Sequence, residues 1–156
     1  MRFLLLSILP VLSVEPVIKA LWNLNAMAEC RLGYTALVYN NYGCWCGVGG
    51  AHTPMDPIDD CCRRHDKCYD AAIAEKACPD VPIEYVEDYD WVCNKTIDTR
   101  PQPTCTESSN MCKNYMCNCD QMVVDCWSQY SRPSFKVSCT HHDKALAKAF
   151  FDAILN

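Results

Sequence analysis

Fourteen cysteines in 156 residues constrain this chain more than any other feature. An even count at that density points to an oxidising compartment and a covalently stapled scaffold. Zinc is the rival use for so many thiols. Zinc modules repeat CxxC pairs, whereas the close pairs here are CxC at Cys44/Cys46 and Cys117/Cys119 and CC at Cys61/Cys62. The length suits one compact domain. Arg2 gives a short basic start, and FLLLSILPVLSV follows as an apolar stretch too short to span a bilayer. Residues 1–13 therefore read as a secretory signal cleaved after Ser13, which places the protein outside the cell. Net charge is −5, so phosphate polyanions gain nothing here and nucleic acid is not an expected partner. Strong electrostatic attraction to anionic lipid is not expected either.

The domain is read as residues 20–139, followed by a tail at 140–156. Leu21, Leu24 and Ala28 lie at helical spacing. Pro54 and Pro57 punctuate the approach to a helix expected to start near residues 56–58 and run to about Lys76. Residues 78–105 read as loop plus a short hairpin, and a second long helix is expected from about Glu107 to Ser128. In the tail, Leu146, Phe150, Ala153 and Ile154 share one helical face.

The cysteines of the two long helices constrain each other. Cys61 and Cys68 are seven apart, as are Cys119 and Cys126, so each pair occupies one helical face. Two turns separate the members of a pair by about 10 Å along the axis, too far to bond one another. They must bond across. Antiparallel packing pairs Cys61 with Cys126 and Cys68 with Cys119, which delivers Asp120 to the back of the His65 imidazole. Parallel packing, with Cys61 to Cys119 and Cys68 to Cys126, also satisfies the spacing.

Two further features carry chemistry. Residues 42–50 hold four glycines, enough for the backbone to turn sharply and aim several carbonyls at one point. Calcium accepts such an oxygen cage when a carboxylate completes it. The loop has no Asp or Glu, so the carboxylate must come from elsewhere, and Asp66 is the candidate. His65 and Asp66 point about 100° apart on a helix, which gives them separate tasks: His65 toward a substrate, Asp66 toward a metal. A His-Asp pair alone is more often a solvated surface feature. Its place between stapling cysteines and facing a glycine loop reverses that preference.

The segments YGCWCGVGG, CCRRHDKCY and CNCD closely resemble secreted phospholipase A2, and ALWNLNAM resembles the mature start of its pancreatic-type branch. The likeness spans about residues 20–139. It implies a mainly α fold: an N-terminal helix, a calcium loop, two long antiparallel helices joined by disulfides, and a small β-wing near residues 91–105. It also implies seven disulfides: 30–93, 44–139, 46–62, 61–126, 68–119, 78–112 and 105–117. By the same resemblance, His65 is the base that activates water against the sn-2 ester of a phospholipid, and Asp120 is its partner. Asp66 and the carbonyls of Trp45, Gly47 and Gly49 hold calcium, and Tyr69 and Tyr89 hydrogen-bond Asp120. Ligation through the backbone tolerates a Trp at position 45.

Leu21, Trp22 and Leu24 are expected to rim the channel, with Trp22 at a membrane or micelle surface. Lys19 directly precedes the family-like start, so residues 14–19 read as a propeptide whose removal frees the Ala20 amine. Asn94, Lys95 and Thr96 form a glycosylation sequon. The chain departs from the family pattern at Gln121, where Arg is usual, at Val123 and Val124, where alanines are usual, and at Asp125, where an apolar residue is usual. Two rival readings use the same scaffold: a binding or toxin-like protein with little turnover, and a purely structural cysteine-rich module. The second leaves the glycine loop unexplained.

Overall fold

The computed structural model of the chain describes residues 19–79, 88–96 and 99–139. The expected signal segment, residues 14–18 of the expected propeptide, and the tail lie outside the described residues. Helix α1, Lys19–Leu32, buries Leu24, Met27 and Ala28. Those three positions lie within about one turn of each other and form the apolar stripe that faces the core. A turn of 3₁₀ helix, Ala36–Val38, is capped by the Thr35 hydroxyl. It is tied to α1 by Asn25, whose side-chain oxygen accepts from Thr35 Oγ1 at 2.6 Å and from the Ala36 amide at 2.9 Å.

Helix α2, Pro57–Ala74, has Asp56 as N-cap and proline in its first turn, a pairing that satisfies an orphan amide and presets the backbone angle. It stops short of Lys76, which adopts φ 59°, a left-handed conformation that no helix continues through. Helix α3, Met111–Trp127, begins four residues later than Glu107. Asn110 takes the cap, accepting from the amides of Cys112 and Lys113. Asn114 meanwhile holds Ser108 in a loop through both its amide atoms. The hairpin lies within the expected stretch: β1, Trp91–Asn94, pairs antiparallel with β2, Gln102–Cys105.

All seven expected disulfides are present. Cys61–Cys126 and Cys68–Cys119 fix α2 and α3 as antiparallel neighbours. Cys30–Cys93 pins α1 to β1. Next to it in sequence, Arg31 pairs with Asp125 at 3.2 Å, which accounts for a carboxylate on a part of α3 that is otherwise apolar. Val123 and Val124 are fully buried between the helices, where their added methyl groups fill core volume. Among the described residues, no helix is long and apolar enough to cross a membrane.

Candidate active site

The glycine loop is built over a buried carboxylate. Asp59, in the first turn of α2, has no solvent exposure. Its two oxygens accept from the amides of Cys44 and Trp45, both at 2.7 Å, and of Met55 at 2.8 Å. Three amides around one carboxylate offset the desolvation of its charge. Gly43 approaches so closely that a Cβ there would collide with the Asp59 carboxylate, so only glycine fits. The far side of the loop is held by the Gly43 amide, which donates to Val137 O at 2.7 Å, and by Cys44–Cys139. Sequence reasoning did not single out Asp59. Its position in the first turn of α2 reads as an ordinary helix-dipole acid.

Across the seam, His65 Nε2 lies 2.6 Å from Asp120 Oδ1. Carboxylates only accept, so Nε2 carries the proton and Nδ1 is left facing the other way. Tyr69 donates to the same oxygen at 2.6 Å, and Tyr89 donates to Asp120 Oδ2. Asp120 is itself fully buried. The Tyr89 hydroxyl is pushed upward by burial and then by the charge of Asp120, so it stays a donor. For His65, burial opposes the charged ring, but the hydrogen bond to Asp120 and the charges of Asp120 and Asp66 outweigh it and raise the pKa from 6.5 to about 9. His65 Nδ1 lies 3.8 Å from Asp66 Oδ1.

Both residues open onto a cavity of about 160 Å³. Gly47 and Trp45 line it near Asp66. Leu21, Leu24 and Leu37 come from α1 and the 3₁₀ turn, and Trp127 closes the wall from α3. Leu24 doubles as core, at 9% exposure, while Trp22 stands outside the lining at 69%. Asn94 is exposed at the end of β1 and donates to Thr104 Oγ1.

The arrangement also fits a hard cation. A Cβ on Gly50 would come within 2.7 Å of Asp66 Oδ2 and strike the Trp45 ring, so the acid lies against the glycine loop. Gly47 and Gly49 adopt φ 113° and 72°, the left-handed turns that glycine permits. The loop's own amide bonds use the carbonyls of Tyr42 and Cys44. Among the described residues, no backbone bond takes up those of Trp45, Gly47 or Gly49. Three His, Cys, Asp or Glu side chains do not converge on one point among the described residues; a cation at this loop would draw on main-chain oxygens and the Asp66 carboxylate.

A family model described as Phospholipase A2 matches residues 21–140. The chain is 37% identical over 114 residues to a phospholipase A2 of Bos taurus, covering 71% of this chain and 75% of that protein. It is 38% identical over 113 residues to a phospholipase A2 of Ovis aries, covering 70% and 88%. It is also 37% identical over 123 residues to the acidic phospholipase A2 homolog taipoxin gamma chain of Oxyuranus scutellatus scutellatus, covering 76% and 78%.

Proposed function

Because the chain belongs to the phospholipase A2 family, we propose that it is a secreted, calcium-dependent esterase that cleaves the sn-2 ester of glycerophospholipids. The products are a free fatty acid and a lysophospholipid. One observation carries the reading: the His65 ring is anchored through Nε2 to a buried carboxylate, while its other nitrogen faces Asp66 and an apolar cavity.

Each residue then has a task. Asp120, positioned by Tyr69 and Tyr89, fixes the tautomer of the neutral His65 ring, the form that acts as base and that a pKa of about 9 makes scarcer at lower pH, and stabilises the imidazolium formed when Nδ1 takes a proton from water. Asp66 and the carbonyls of Trp45, Gly47 and Gly49 are the residues that would hold calcium. When bound, the ion supplies Lewis-acid polarisation of the ester carbonyl and stabilises the developing oxyanion. The Gly47 amide assists at the same oxygen. Leu21 and Leu24 receive the acyl chain, and Trp22 rests in the lipid interface of a membrane or micelle.

Residues 1–13 act as a signal, and cleavage after Lys19 frees the Ala20 amine. Mass spectrometry of the secreted, fully active form should find Ala20 first, and finding residues 14–19 intact would refute the processing step. The same spectra report whether Asn94 carries a glycan. The enzymatic reading is tested by fatty-acid release from phosphatidylcholine vesicles with calcium, with chelator, and with His65→Gln. Release is expected only in the first case. Equal release in all three would end the reading, and calcium binding without release from any headgroup would favour a non-catalytic binder.

A further inference from the structure

We infer that a cavity between the end of α3 and the β-hairpin is a second ligand site, one that grips the phosphate of a phosphomonoester with Arg100 and Arg132. The inference is independent of the esterase reading, since this cavity and that of His65 have no lining residue in common. Its volume is about 360 Å³. Arg100 enters from the hairpin connection just ahead of β2, and Arg132 from the segment that follows α3. Tyr34, Tyr130 and Ser131 are among the other residues of the wall, and no acid is.

What these two arginines lack is an oxygen. Arg31, Arg63 and Arg64 each meet a carboxylate. Among the described residues, Arg100 and Arg132 have neither an ion pair nor a hydrogen bond, and both are exposed. Arg132 sets its guanidinium 5.0 Å from the centre of the Tyr34 ring. That contact holds the group at the wall, yet it gives none of its N–H donors an oxygen. The helix end beside them makes no use of them either. A helix C-terminus draws cations to carbonyls left open, but here those of Val124, Cys126 and Trp127 accept from the amides of Ser128, Gln129 and Tyr130, and that of Asp125 accepts from Ser128 Oγ. The Asp125 carboxylate is engaged by Arg31. Like charges on one small cavity repel, and a chain of net charge −5 has acids enough to neutralise them. A wall that keeps two guanidiniums and excludes every acid fits a negative ligand. Guanidinium forks match oxyanions. A carboxylate has only two oxygens to offer them, whereas a phosphomonoester has three and nearly twice the charge.

The test is an NMR titration of the isotope-labelled protein in calcium-free buffer, first with inorganic phosphate and then with glycerol phosphate. The Nε–H resonances of Arg100 and Arg132 should shift and saturate, with Kd about 1 mM. Arg100→Gln and Arg132→Gln should each weaken binding by about tenfold, the scale of one charge-assisted hydrogen bond. Arg64→Gln, which removes an exposed charge outside the cavity, should leave Kd unchanged. A response that stays linear far above that concentration, or equal weakening by Arg64→Gln, would show charge screening without a site and overturn the proposal. Sedimentation with phosphatidylcholine vesicles, with and without phosphatidate, separates the two sources of the group. Binding gained with phosphatidate and lost in both cavity variants assigns a lipid headgroup. Saturation by glycerol phosphate without that gain assigns a soluble phosphomonoester. Failure of both arms overturns the site.

Discussion

The glycine loop and the α2–α3 seam each bury one carboxylate completely, and the two are satisfied by different kinds of donor. Asp59 is held by backbone amides that cannot move without the loop moving. Asp120 is held by side chains, an imidazole and two phenols, each able to shift or exchange a proton while the helices stay where the disulfides put them. A buried acid saturated by main chain is a framework element, whereas one saturated by titratable side chains can take part in chemistry.

That contrast can be broken by exchanging the roles. If the seam is the reactive region, His65→Gln should lower vesicle hydrolysis by about a thousandfold and, above about pH 9 where the ring's charge is gone, leave the unfolding midpoint in denaturant nearly unchanged. If the loop is the framework, Asp59→Asn should act first on stability. An amide cannot serve three amide donors as a carboxylate does, so urea unfolding should show a loss of about 4 kcal/mol. Calcium affinity should weaken with it. A stable Asp59→Asn protein with normal calcium binding would dissolve the distinction.

Titration sharpens the comparison further. The folded pKa of His65, about 9, lies above its ordinary 6.5. Its coupling to Asp120 and Asp66 therefore contributes stability in full below about pH 6.5, and that contribution is lost as pH rises through 9. In chelator, the wild-type protein should lose about 3 kcal/mol more than His65→Gln over that window. Calcium beside Asp66 should move the imidazole resonance to a lower midpoint, because it opposes one of the two charges that raise it. A midpoint unmoved by calcium would place the ion elsewhere. The smallest effect belongs to the partly exposed pair of Arg31 and Asp125: Asp125→Ala should change stability by only about 0.5 kcal/mol, measured by the same denaturation.

Much of this was legible in the residues. Cysteine spacing alone limited the seam to two registers, and the family likeness selected the antiparallel one that the disulfides show. The meeting of His65 with Asp120 followed from that register. The start of α3 was misplaced because Glu107 favours helix by propensity, while Asn110 and Asn114 divert the backbone into side-chain hydrogen bonds. Asp59 was missed for another reason: its three amide partners lie 4 to 15 residues away and converge only after the loop has folded back. Among the described residues, Trp127 Nε1 is buried without a hydrogen-bond partner, and this too had no signature in sequence, since satisfaction of a polar atom is decided by neighbours in space.

The bond between Cys44 and Cys139 imposes a timetable. Its partners are 95 positions apart, and the Gly43 amide meets Val137 beside it, so a chain emerging from the ribosome reaches residue 44 long before the matching thiol arrives. Until then the hairpin of glycines is fastened on one flank only. Translation that halts before residue 139 would thus yield a product lacking that anchor, and the locked form exists only once Cys139 has been made.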